Sequence, residues 1–204
     1  DYKANRGETP EDLIPQFDII RDCVDAFNIP QIEIQGYEAD DIIATYCKLA
    51  KKMKTDSIIV SSDKDLMQLV TKDITMLDPM KNRKICIDQV IEKFGLPPEK
   101  VIQIQALTGD KVDNIPGAPG IGPKTALQLI EEFGDVHNLI NNANKIPQEK
   151  RRNVILDYKE DILVSLELVK LKDDIKLPLD INKIHTYSSV NKNDNLSKFL
   201  SSSP

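Results

Sequence analysis

The sequence predicts an α/β fold, with a mostly parallel central sheet followed by a helical part. Three observations lead there. Short β-branched runs alternate with helical spacing between Gln31 and Val70. From Asp88 onward helical spacing dominates. No apolar run approaches the ~18 residues that span a membrane, while 40% apolar residues among 204 suffice for a core.

Thr9-Pro10-Glu11-Asp12 reads as a helix start, and Leu13, Ile14, Phe17, Ile20, Val24 and Phe27 follow at helical spacing. Pro15 bends that helix or delays its start. Gln31–Gln35 alternates like a short strand, and Glu38 to Lys52 reads as a helix. Ser57–Ser61 has the character of a buried parallel strand, with a helix over Asp63–Val70. Ile74–Leu77 and Lys84–Ile87 pair as strands around the turn Asp78–Arg83. Helices follow at Asp88–Phe94 and Pro98–Leu107, then a Gly/Pro-dense loop over 109–123, then helices at Lys124–Phe133 and Gln148–Leu171. Ser188–Pro204 reads as a tail. The division is therefore 1–87 (α/β), 88–175 (helical) and 176–204 (tail or linker).

Cys23, Cys47 and Cys86 are odd in number and widely spaced, which excludes a disulfide framework and a Cys-ligated zinc site and suits the cytoplasm. His137 and His185 are isolated and read as surface or satisfied residues. Ser61-Ser62 has no His near enough in sequence to support a nucleophilic triad. A net charge of -6 argues, at face value, against a nucleic-acid partner.

The acids are not scattered. Glu38, Asp40 and Asp41 lie in GYEADD and Asp63 and Asp65 in SSDKD, each just after a predicted strand, where α/β folds place their sites. Asp110 and Asp113, in GDKVDN, open the helical half. Acids at helix starts also have a simple reading, the helix macrodipole. Clustering like charges nevertheless costs stability unless a cation binds. Seven carboxylates in three groups suit two hard divalent ions, Mg²⁺ or Mn²⁺. Two such ions about 4 Å apart are a standard device for phosphodiester hydrolysis. Setting these seven aside leaves 26 acids against 27 bases, so net charge does not exclude DNA.

The sharpest local signal is NIPGAPGIGPKTA, residues 114–126. Gly120 and Gly122 flank one apolar residue ahead of a helix. They allow positive φ and close approach of backbone N–H to an anion, with Lys124 and Thr125 supplying a cation and a hydroxyl. This is the pattern of a helix-hairpin-helix that grips a DNA backbone without reading bases; the plain alternative is a tight interhelical turn.

YKANR, GYEADD, SSDKD and TGDKVDNIPGAPGIGPKTA stand in the order and near the spacings of the 5′ nuclease family, and the chain resembles most the 5′–3′ exonuclease domain of bacterial DNA polymerase I over residues 1 to 170. The resemblance implies a PIN-like core with a helix-three-turn-helix unit, and metal-dependent, structure-selective cleavage near a 5′ end, flap or nick in replication and repair. It implies metal ligation by Glu38, Asp40, Asp41, Asp63, Asp65, Asp110 and Asp113, with Asp41, Asp63 and Asp65 at the chemistry. It implies a duplex clamp at Gly117, Gly120, Gly122, Lys124 and Thr125, which in the family also takes K⁺, and phosphate contacts by Tyr2, Lys3 and Arg6. It further implies a linked polymerase domain and a place in the bacterial cytoplasm, at the nucleoid. Family members carry an Asp-bearing first strand, and a second Asp, ahead of the YKANR run. This sequence has neither, so an exposed sheet edge, reduced stability or dimerisation through that edge, and little cleavage by the chain alone are expected. The competing readings are a catalytically incomplete duplex-DNA-binding module and an acidic domain acting on small phosphate esters.

Overall fold

The computed structural model describes residues 3–5 and 7–184. Tyr2, Arg6, His185 and the Ser188–Pro204 tail lie outside the described residues. Two apolar cores organise the rest. One gathers Ile59, Leu66, Met67, Val70, Ile74, Met76 and Val90 in the α/β half. The other gathers Ile104, Leu107, Ala126, Leu129, Val136, Leu139, Ile155 and Ile162 in the helical half.

Helix α1 spans Gln16–Ala26. It begins directly after Pro15, because proline has no N–H to give an earlier turn and fits only where a helix starts. The Pro10 region instead forms a turn closed by the Leu13 N–H on the Pro10 carbonyl, 3.0 Å. Residues 31–34 are extended but join no ladder among the described residues, so the expected strand does not form. A strand needs a neighbour's backbone; here Gln31 turns back and donates to the Arg21 carbonyl and to Asp25 Oδ1, at 2.8 and 2.7 Å.

Helix α2 (Ala39–Lys52) runs into strand β1 (Ser57–Val60). β2 (Ile74–Asp78) pairs β1 in parallel, Ser57 opposite Ile74, and β3 (Arg83–Ile85) pairs β2 antiparallel, Met76 opposite Ile85. Among the described residues the sheet is thus mixed and three-stranded, in the order β1-β2-β3. β1 forms its edge. Ile59 is buried, but Ile58 and Val60 are 68% and 63% exposed. The run read as doubly buried is covered on one face only. The expected helix after β1 is a 3₁₀ segment, Asp65–Leu69, the shorter form of a helical turn.

α3 (Ile87–Phe94) ends at Gly95 in a left-handed cap, and a 3₁₀ turn at Pro98–Lys100 leads into α4 (Val101–Thr108). α5 (Pro123–Phe133) follows the Gly-Pro loop, then comes α6 (Val136–Asn141), where Asp135 accepts from the Asn138 N–H at its N-cap, 2.8 Å. The expected single helix over 148–171 is two, α7 (Glu149–Asp157) and α8 (Lys159–Val169), parted at Tyr158, whose ψ of 21° leaves helical geometry. Ile155 and Ile162 keep one apolar spacing across that joint, which hid it. A last turn, α9 (Ile181–Ile184), lies beyond a segment that crosses α2, held by the Tyr46 hydroxyl on the Leu179 carbonyl, 2.8 Å. Among the described residues no helix is long and apolar enough to cross a membrane.

Candidate metal and nucleic-acid site

The two halves meet where β1 ends, α2 begins and α4 gives way to the loop. Asp63 follows β1 and caps its own turn, accepting from the Asp65 N–H at 2.9 Å. Asp65 opens the 3₁₀ segment. Asp40 sits in the first turn of α2. Burial, then the charges of Asp63, Asp65 and Glu38, raise the Asp40 carboxyl to about 6, against relief from Lys3. Asp65 is raised too, by burial and then by Asp63. Carboxylates contributed by three segments thus share one field.

Lysines lie within it, Lys3, Lys64 and Lys93 among them. Lys3 pairs with Glu38, and the Lys3 backbone N–H donates to the Asp113 carbonyl, 2.9 Å. Asn5 donates to the Lys111 carbonyl at 2.9 Å. Lys3 and Asn5 are thereby pinned on the acidic loop. Lys64, between the two aspartates of SSDKD, reaches Asp110 Oδ2 at 2.6 Å. Burial opposes the Lys64 charge, yet Asp110, Asp65 and Asp63 together raise it. Asp110 is lowered despite burial, because Lys64 and the Val112 N–H stabilise its charge.

The seven expected ligands do not all face one way. Glu38, Asp40, Asp63, Asp65 and Asp110 lie in the shared field. Asp41 is turned to the backbone: Oδ1 accepts from the Lys172 N–H at 2.9 Å and Oδ2 from the Glu38 N–H at 3.3 Å. The Asp113 N–H donates to Asp110 Oδ1 at 3.4 Å. Among the described residues no three acids, cysteines or histidines converge closely enough to cage a metal ion. The donor set is nonetheless all oxygen, with a carboxyl at about 6 that a cation would relieve. A hydrated Mg²⁺ needs only one or two carboxylates and keeps several waters, so the residues fit such an ion.

In the Gly-Pro loop, Gly117 is buried at φ +60° and donates to Ser165 Oγ at 2.9 Å. A Cβ there would lie 2.7 Å from the Thr108 carbonyl carbon and would strike the Gly109 nitrogen. Gly117 is therefore a packing glycine rather than a phosphate contact. Gly120 is exposed at φ +77°. Gly122, expected to share that geometry, has φ -86° and open space around it. Its own conformation does not call for glycine. A bare backbone facing solvent at the start of α5, beside exposed Lys124 and half-buried Thr125, leaves room for a close external group. Ile121, between the two glycines, tucks into the core of the helical half.

Three features escaped the sequence reading. Lys150 and Arg151 border a groove of about 320 Å³ with Gly120 and Thr125; the KRR run at 150–152 was the available signal. Lys64 was passed over between its aspartates. Gln105, at the heart of the junction, carries no motif.

Profiles of two parts of one family match the chain. "5′–3′ exonuclease, N-terminal resolvase-like domain" covers residues 1–95, and "5′–3′ exonuclease, C-terminal SAM fold" covers 96–193. DNA polymerase I of Rhizobium leguminosarum is 55% identical over 183 residues, covering 90% of this chain and 18% of that protein. The 5′–3′ exonuclease of Aquifex aeolicus is 39% identical, covering 88% of this chain and 61% of that one. The bacteriophage T5 D15 protein co-crystallised with metal ions superposes with a TM-score of 0.75 at 26% identity, covering 98% of this chain and 74% of the phage chain. A variant of the same phage flap endonuclease, in a pseudo-enzyme–product complex with DNA and metal ions, superposes with a TM-score of 0.73 at 26% identity, again covering 98% of this chain and 74% of that one. The resolvase-like core and SAM-like helices thus define a phosphodiester-cleaving class of protein. The chain belongs to the 5′–3′ exonuclease family, of the kind found in DNA polymerase I. It spans about a fifth of the curated polymerases it matches.

Proposed function

We propose that this chain is the metal- and duplex-holding part of a structure-selective 5′ nuclease. It would cleave DNA near a 5′ end or flap junction in replication and repair, alongside a linked polymerase domain in the bacterial cytoplasm. The observation that carries the reading is the shared field of Glu38, Asp40, Asp63, Asp65 and Asp110 at the junction of the halves, with Asp40 raised to about 6. Divalent ions, Mg²⁺ or Mn²⁺, would supply charge stabilisation and a more acidic water at the phosphate. The metal-bound T5 neighbours support divalent dependence.

The chain's own residues do the rest. Asp63, after β1, Asp65, at the start of the 3₁₀ segment, and Asp40, in the first turn of α2, would hold the ions. Asp41 holds the α2 start and the segment at Lys172 in register, so we assign it a positioning role. Gly120, Gly122, Lys124 and Thr125 would grip one strand's backbone, with Lys150 and Arg151 extending the basic surface along α7. K⁺ at the loop remains part of the proposal through its family likeness, and Lys3 would meet the 5′ strand after leaving Glu38.

A labelled 5′-flap duplex tests this. The protein that carries this domain should cleave it with Mg²⁺ and stop with EDTA or Asp63→Ala; the 204-residue chain should bind it and turn over slowly. Failure of the carrier protein to cut any 5′-ended DNA would refute the nuclease reading. Stronger competition by a small phosphate ester than by duplex would favour the small-molecule reading.

A further inference from the structure

Gln105 is 7% exposed, on α4 in the helical half, yet its side chain reaches the α/β half. Its Nε2 donates to Asp65 Oδ1. Its Oε1 is buried and has no hydrogen-bond partner, alone in this among the described side chains. Burying a carbonyl oxygen without a donor costs about 1–3 kcal/mol, so such an atom calls for an explanation. Gln105 lines a cavity of about 230 Å³ whose polar side carries Lys64, Asp65, Lys93, Thr108 and Asp110, and whose other walls are apolar. That volume holds several waters. Gln105, with its orphan acceptor, thus lines a space that it shares with two carboxylates of the candidate metal site.

We propose that Gln105 is a positioning residue for a hydrated divalent ion. Its amide nitrogen fixes the rotamer of Asp65 across the junction. Its amide oxygen accepts a hydrogen bond from a water of the ion's hydration shell. The amide suits both tasks, because one end donates and the other accepts. A lysine would donate only, and a carboxylate would repel Asp65. Partners of this kind orient ligands and typically govern metal affinity by 10–100-fold. No motif marks the position: Gln105 stands two residues before Leu107 in a helix whose other buried residues are apolar.

The inference rests on the metal reading above, and one titration separates the two. Mn²⁺ is titrated calorimetrically into the 204-residue chain, with melting in EDTA as the measure of the metal-free fold. The variants are Gln105→Met, which fills the same space without polar atoms, and Gln105→Asn, which keeps an amide one methylene too short to reach Asp65. Both should weaken Mn²⁺ binding about tenfold or more while melting in EDTA within a few degrees of the parent. Unchanged affinity in either folded variant overturns the role of Gln105 and leaves the metal reading standing. A steep fall in metal-free melting in both variants, matched to the affinity loss, overturns it also, by showing a packing role. Absence of Mn²⁺ binding by the parent chain at millimolar metal overturns the metal reading itself.

Discussion

Lys64 Nζ stands 2.6 Å from Asp110 Oδ2, joining the segment after β1 to the loop after α4. The bridge ties the two halves together at the point where the acids collect. It also places a protein cation where a metal ion would otherwise act. Asp110 is lowered by this pairing, so its contribution to stability is present above the ordinary carboxylate range and is lost as pH falls through its folded value. Both side chains are partly exposed, which limits the pair to about 1 kcal/mol. Lys64→Met should lower the melting temperature at pH 7 by a few degrees and flatten its acid-side decline. It should also enlarge the rise in melting temperature on adding Mg²⁺, because the internal cation no longer competes. Differential scanning calorimetry with and without Mg²⁺ reads both effects.

Asp40 titrates in the opposite sense. Its folded value near 6 exceeds its unfolded value near 4, so the folded state holds the extra proton between them. Stability from this group therefore falls as pH rises from about 4 to about 6 and levels off above. Metal-free melting should be higher at pH 5 than at pH 7, and Asp40→Asn should reduce that difference, Asp65 being raised as well. Mg²⁺ should stabilise more at pH 7.5 than at pH 5, where the proton competes with it. A metal-free melting temperature that rises from pH 5 to pH 7 in the parent, or a slope left undiminished by Asp40→Asn, would count against the shared field.

Gly117 and Gly122 separate packing from binding. Gly117→Ala forces a Cβ onto the Thr108–Gly109 backbone at φ +60°, so a loss of about 3 kcal/mol or more is expected on chemical denaturation. Gly122→Ala meets nothing and keeps an accessible φ, so stability should change by less than about 1 kcal/mol. Duplex affinity should nonetheless drop in that variant, measured by fluorescence anisotropy. Equal affinity for parent and Gly122→Ala would leave the loop as an interhelical turn.

Among the described residues β1 exposes Ile58, Val60 and an unpaired edge. Such edges template pairing with another chain. Light scattering after size exclusion should show self-association that Ile58→Lys weakens; a monomer at high concentration would contradict it.

Much of this was legible in the sequence because it is written locally. The β-branched run at 57–60 and the α2 periodicity are local signals, and both elements formed. So is the Gly-x-Gly before Pro123. What was not legible depends on partners distant in sequence. The 31–34 segment has strand alternation but no neighbour to pair with. The Tyr158 joint keeps the apolar spacing intact and changes only the backbone. In the site, residue types and order were readable, but orientation was not. Asp41 shares a helix turn with Asp40, yet a main-chain donor 131 positions away claims it. Gln105 lies 40 positions from Asp65, and only the packing of α4 against the 3₁₀ segment brings them together.

The most direct measurement is binding of a labelled 5′-flap duplex by the chain, with Mg²⁺ or EDTA and over a range of KCl. Binding should tighten with Mg²⁺ and weaken linearly in log affinity against log salt. Lys124→Ala should lower affinity for all sequences alike and reduce the salt slope by about one. Binding indifferent to Mg²⁺ and to Lys124→Ala, or no preference for the flap duplex over a single strand of the same length, would contradict the account.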